Sequence, residues 1–113
     1  MNRLNTLAST MMGLSAIALP VQAESPGVYY SWRSLETDIT QCLVRSEAAL
    51  AESGLVGIAV DGNSVSGRAE AATAVFICLE NVEALETITV MLVVASNEDE
   101  SALTLREALK RAF

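Results

Sequence analysis

The sequence predicts an α+β domain: a two-layer sandwich in which an antiparallel meander of about four strands carries an N-terminal and a C-terminal helix on one face, in the order α-β-β-β-β-α. Three observations predict it. Apolar residues recur at spacings of three and four between Trp32 and Leu50 and again between Ala102 and Phe113, the mark of one-sided helices. Between Val56 and Val94 the period is two and β-branched residues dominate, the mark of strands. The connections between those strands are too short for parallel crossovers, so the strands pair antiparallel.

The chain before these elements reads as an address. Met1 to Asn5 carry Arg3 and no acid, Thr6 to Leu19 are mainly apolar and uncharged, and Pro20 precedes the small residues of Val21-Gln22-Ala23. This three-part order is that of a secretory signal, with cleavage expected after Ala23. The apolar run is shorter than the roughly 20 residues that span a bilayer and is interrupted by Thr6, Ser9, Thr10 and Ser15. No cysteine stands near the cleavage point to carry a lipid. The expected organisation is a signal over residues 1–23 and one small domain over residues 24–113, delivered to the periplasm or the extracellular space, with no membrane contact after cleavage.

In the mature part, Glu24 to Ser31 contains the breaker cluster Ser25-Pro26-Gly27 and is expected to be an irregular lead. The first helix is placed on the stripe Trp32, Leu35, Ile39, Cys42, Leu43, Ser46, Ala49 and Leu50. Ser31 or Ser34 would cap its start and Gly54 would end it. Val56, Ile58 and Val60 form a first strand, Asp61-Gly62-Asn63-Ser64 a tight turn, and residues 64–69 a second strand. Residues 68–72 read as a connection or bulge, Thr73 to Leu79 as a third strand, Asn81 to Leu85 as a loop, and Glu86 to Ser96 as a fourth strand. A last helix follows. Asn97 stands as its expected cap, acids Glu98, Asp99 and Glu100 lie in its first turn, and Lys110 and Arg111 lie in its last.

Charge excludes some functions. The 113 residues carry a net charge of −7, with 14 acids, 7 bases and no histidine. Removal of residues 1–23 leaves six bases and 14 acids, a side-chain charge of −8 on 90 residues. A nucleic-acid binder needs a clustered basic face, and this composition argues against one. At 51% hydrophobic residues the mature chain is expected to fold. Without histidine the commonest general base is missing. The carboxylates have structural accounts: Glu98, Asp99 and Glu100 as helix-end charges, Glu36, Glu47 and Glu52 on the solvent side of a helix, Asp61 in a turn, Glu80, Glu83 and Glu86 around a loop. No catalytic residue, metal ligand or cofactor is therefore expected. Asp61-Gly62-Asn63-Ser64-Val65 begins like a calcium loop but has Ser66 where glycine is needed and Ala72 where a bidentate carboxylate is needed. Gly57 and Gly67 read as bulge or close-packing positions, and Trp32 beside Tyr29 and Tyr30 either as an aromatic contact surface or, the commoner use, as cover for one end of the core.

Cys42 and Cys78 are the most informative pair. Two cysteines in an exported chain, one on the helix stripe and one on the third strand, are expected to form a disulfide. The alternative is two separate buried thiols. Lying on different elements, they lack the two-residue spacing of redox catalysts.

One feature calls for a partner. If Phe76 and Cys78 face the helices, then Val75, Ile77 and Leu79 face the other way, beside Met91 and Val93 of the neighbouring strand. Helices on one side leave that second face uncovered, so Val75, Ile77, Leu79, Met91 and Val93 form the candidate interface. The leading expectation is a non-enzymatic exported domain that associates through this face as a homodimer or with another exported protein. A carrier using the same face as a pocket wall for a small molecule or lipid ranks second, and a carboxylate-based enzyme third.

Overall fold

The computed structural model describes residues 26–113; the expected signal over residues 1–23 lies outside them. Five strands form one sheet: β1 (Gly27–Leu35), β2 (Val56–Asp61), β3 (Ser64–Arg68), β4 (Ala72–Glu80) and β5 (Ile88–Ser96). Two helices, α1 (Ile39–Glu52) and α2 (Asp99–Ala112), complete an α+β fold in the order β-α-β-β-β-β-α. The sheet order is β1-β5-β4-β3-β2 and every neighbouring pair is antiparallel. The meander is therefore β2 to β5, as its short connections require, while α1 carries the chain from one edge of the sheet to the other.

Strand β1 corrects the expected N-terminal half. The segment read as an irregular lead and as the start of a helix is a nine-residue edge strand, paired with β5 from Gly27 opposite Ser96 to Leu35 opposite Ile88. Trp32 and Leu35 satisfy both a helical stripe and an alternating pattern, and the Val-Tyr-Tyr-Ser-Trp run favours the strand once β5 supplies a partner. The helix stripe is real only from Ile39 onward. Its cap is Asp38, whose carboxylate accepts the Gln41 backbone N–H at 2.8 Å, and neither Ser31 nor Ser34. Glu36 accordingly lies in the linker before α1. At the other end Gly54 takes φ +83°, the left-handed conformation that ends a helix at low cost only for glycine.

The hairpin and the rest of the meander fall close to where periodicity places them, except that β5 begins at Ile88 and Glu86, expected in that strand, sits in the preceding turn with φ +68°. Between β2 and β3 the register slips at Val56 to Ala59, and Gly57 sits in that irregularity with φ +65°. A side chain there would run into the Arg68 guanidinium, which lies 2.5 Å from the position of a Cβ. Gly67 lets β3 approach Leu55, 3.2 Å from where its own Cβ would be. Residues 69–71 form the connection between β3 and β4, closed by the Ala69 N–H donating to the Ala72 carbonyl at 2.8 Å. The second helix differs from expectation at its start. Glu98, not Asn97, is the capping position and makes no side-chain cap; the Ser96 hydroxyl accepts the Glu98 N–H instead.

Both helices pack on one face, α1 over β2, β3 and β4 and α2 over β5 and β1. Beneath them lie Val65, Phe76, Ile88, Leu92 and Val94, closed from above by Leu50, Ala102 and Leu109. The Cys42–Cys78 disulfide ties α1 to β4, with Cα atoms 6.1 Å apart and both residues fully buried. Closing 36 residues in this way contributes about 4 kcal/mol in the chain-entropy account. Beside it the buried Ser46 hydroxyl donates to the Cys42 carbonyl at 2.8 Å, which satisfies a polar group that would otherwise destabilise the core.

Candidate functional site

Strand alternation builds the opposite face. In β4, buried Ala72, Ala74, Phe76 and Cys78 alternate with Thr73, Val75, Ile77 and Leu79; in β5, buried Ile88, Val90, Leu92, Val94 and Ser96 alternate with Thr89, Met91, Val93 and Ala95. The predicted residues Val75, Ile77, Leu79, Met91 and Val93 thus share the face away from the helices. The register makes them neighbours, with Val75 opposite Val93 and Ile77 opposite Met91. All five keep partial or full exposure in the single chain.

The edge strand extends this face by residues the sequence reading assigned elsewhere. Val28, Tyr30 and Trp32 point outward from β1, with exposures of 59%, 56% and 60%. Trp32 therefore does not cover the end of the core; alternation turns it out of the sheet, and Tyr29 is the ring that packs inward. Cross-strand rows run Tyr30–Val93–Val75 and Trp32–Met91–Ile77, flanked by Val28–Ala95 on one side and Ser34–Thr89–Leu79 on the other. The Tyr30 and Trp32 rings stack, with centroids 5.6 Å apart and planes within 10°. The signal for this column is the alternation of Val28, Tyr30 and Trp32, which the expected boundary between an irregular lead and a helix divides.

The patch has sharp limits. Beyond β4 the outward residues of β3 are Ser64, Ser66 and Arg68, opposite Ile77, Val75 and Thr73, and the β2 positions beyond them include Ala59 and Asp61. Three strands are apolar and the next is polar. Strand spacing of about 4.8 Å and a rise of about 3.4 Å per residue give the four rows a plan area of roughly 300 Å². No charged side chain stands within the rows.

Besides its pairing with β5, two contacts tie β1 to α2. The Tyr29 hydroxyl donates to the Asp99 carboxylate at the start of α2, and that bond, with desolvation and the charge of Asp99, raises the tyrosine pKa above its usual value. From the middle of α2, Arg106 reaches the Tyr30 carbonyl at 3.5 Å. Elsewhere, a cavity of about 300 Å³ lies between the start of α1 and the β4–β5 loop, lined in part by Asp38, Ile39, Val82 and Leu85. Among the described residues, no group of three or more acids or cysteines is placed to hold a metal ion, and no helix is long and apolar enough to cross a membrane.

Compared with known proteins, the chain matches no protein-family model, no curated protein and no solved structure at a significant level.

Proposed function

We propose that this protein is an exported, non-enzymatic domain whose work is association, and that its open sheet face docks against a second copy of itself. The observation that carries the reading is the uncharged apolar surface across β1, β5 and β4, which the helices leave bare. A one-layer cover of an antiparallel sheet ordinarily leaves a polar second face; here β3 follows that rule and β1, β5 and β4 do not. The Cys42–Cys78 bridge supports an oxidising destination, where such bonds persist.

Self-pairing is favoured by the order of the columns. A twofold axis lying between two sheets and parallel to β5 sets the aromatic column of β1 over the aliphatic column of the partner's β4. Large rings then meet smaller branched chains, and the same patch serves both copies, as an isologous contact requires. Two faces of this size remove about 600 Å² of apolar surface, below the 1,200 Å² or more of a stable interface, so the dimer is weak and reversible. At about 25 cal/mol per Å² the gain is near 15 kcal/mol, of the order of the 4–15 kcal/mol that docking costs. The carrier reading is weaker because the cavity of about 300 Å³ beside the start of α1 and the β4–β5 loop, the size of a small ligand pocket, is lined by none of the five candidate residues.

Sedimentation velocity over a range of concentrations tests the proposal. The unmodified protein should show a monomer–dimer equilibrium, and the double substitution Ile77→Lys with Met91→Lys should give a folded monomer at every concentration. An unmodified protein that is monomeric throughout defeats self-association. A partner of different sequence recovered on the same face, with no dimer, does so as well.

A further inference from the structure

We infer that a cleft on the helix-bearing side, between β1 and the last turn of α2, binds a short-chain organic carboxylate. This site is separate from the open sheet face and its argument does not depend on association. The cleft encloses about 50 Å³; Phe76, Val90, Leu92 and Phe113 form apolar walls, and Arg33 and Lys110 line it as cations. No acidic side chain lines it, and the main-chain oxygen of Phe113 is taken by Arg45. In a mature chain with 14 acids and six bases, that is a local reversal of sign among the side chains, and it favours an anion.

The walls are held in place before any ligand arrives. The Phe113 ring stacks on Phe76 with centroids 5.2 Å apart. Arg45 lies over the same ring at 4.4 Å, and its Nε and Nη2 donate to the Phe113 carbonyl at 3.1 and 2.8 Å. Arg33 stands 5.6 Å from the ring centroid. Arg45 is thus committed to the protein, whereas Arg33 makes no ion pair among the described residues. Lys110 shares the Glu107 carboxylate at 3.3 Å and is the weaker of the two lining cations for a ligand. A planar guanidinium beside an apolar recess matches a carboxylate on a short aliphatic stem: the fork takes both oxygens, and the stem fills the recess. The volume admits a few methylene groups and excludes a long acyl chain.

Butyrate, butylammonium and inorganic phosphate, each titrated at constant ionic strength, test the assignment. Two readouts serve: the backbone N–H resonance of Phe113 and the Nε–H resonance of Arg33, both at residues that line the cleft. Butyrate should shift both saturably, and Arg33→Gln should weaken its binding by roughly tenfold or more, the loss expected for a charged hydrogen-bond partner. Arg68→Gln, on the far side of the sheet, should leave it unchanged. The inference is overturned if butylammonium acts as butyrate does, if phosphate saturates as tightly, or if Arg33→Gln has no effect. Repeating the butyrate titration with the Ile77→Lys, Met91→Lys monomer should give the same affinity, which separates this site from the fate of the dimer.

Discussion

The two faces of the sheet are made by the same strands and treated differently. From Ala72 to Leu79, β4 is apolar or β-branched at both parities; its even positions disappear beneath α1 and α2, and its odd positions remain open. The neighbouring β3 does what a strand covered on one side should do, burying Val65 and turning Ser64 and Ser66 outward. The contrast separates the core from the proposed interface. Phe76 is apolar because the fold needs it, whereas Ile77 is apolar on a face where Ser66, on the adjacent strand, shows that the fold alone tolerates a hydroxyl.

Substitutions on adjacent residues break or sharpen that distinction. The largest effect belongs to the covered face: Phe76→Ala should lower the stability by about 3–5 kcal/mol in urea denaturation, the cost of emptying a buried aromatic site. Cys78→Ala removes the bridge to α1 and should lose about 2–5 kcal/mol, with the midpoint of the unmodified protein falling similarly under reductant. On the open face, Ile77→Ser should change the stability of the monomer by less than about 1 kcal/mol while shifting the monomer–dimer equilibrium toward monomer. A loss as large as that of Phe76→Ala would make the two faces equivalent and Ile77 part of the core. Ser66→Val extends the apolar patch onto β3 and should tighten the dimer without changing the monomer's unfolding midpoint by more than a few tenths of a kcal/mol.

The smallest effects are those of pH. Lys110 donates to the Glu107 carboxylate and, together with Arg106, holds its pKa below the usual carboxylate value. The contribution of this group is therefore full above the unfolded-state pKa and is lost as pH falls through the folded one. The midpoint difference between the unmodified protein and Glu107→Gln should shrink on acidification. Tyr29 has the opposite sign: its pKa is raised, so its bond to Asp99 stabilises β1 below the usual tyrosine value and is lost as pH climbs through the folded one. Tyr29→Phe should consequently match the unmodified protein only at high pH. Both groups are exposed, and salt weakens both effects.

Features that depend on neighbours in sequence were legible; those that depend on distant pairing were not. The stripe Ile39, Cys42, Leu43, Ser46, Ala49 and Leu50 defined α1 without help, and the same stripe placed Cys42 over β4, where Cys78 meets it. The turn chemistry of residues 61–64 placed the β2–β3 hairpin. By contrast, Trp32 and Leu35 fit either period, and what decides between them is β5, which pairs with β1 from the far end of the chain. Five residues of the candidate face were found by alternation; Val28, Tyr30 and Trp32 were missed for that same reason. The cleft of Arg33, Lys110 and Phe113 had no local signal, since its residues come together only when α2 settles against β1.

The path of α1 across the sheet also sets an order of events. The meander from β2 to β5 closes through short loops, whereas β1 pairs only with β5, Gly27 with Ser96 and Leu35 with Ile88. Closing so long a loop is entropically slow compared with closing a hairpin. Strand β1 is thus expected to be the last to pair. In the interval, β5 presents an unpaired edge, and β1 of a neighbouring molecule can occupy it as well as its own. Folding kinetics should accordingly show the contacts of β3, β4 and β5 formed in the transition state and those of Tyr30 and Trp32 absent from it. Shortening the linker at Glu36, Thr37 and Asp38, which joins β1 to α1, should favour exchange of β1 between chains.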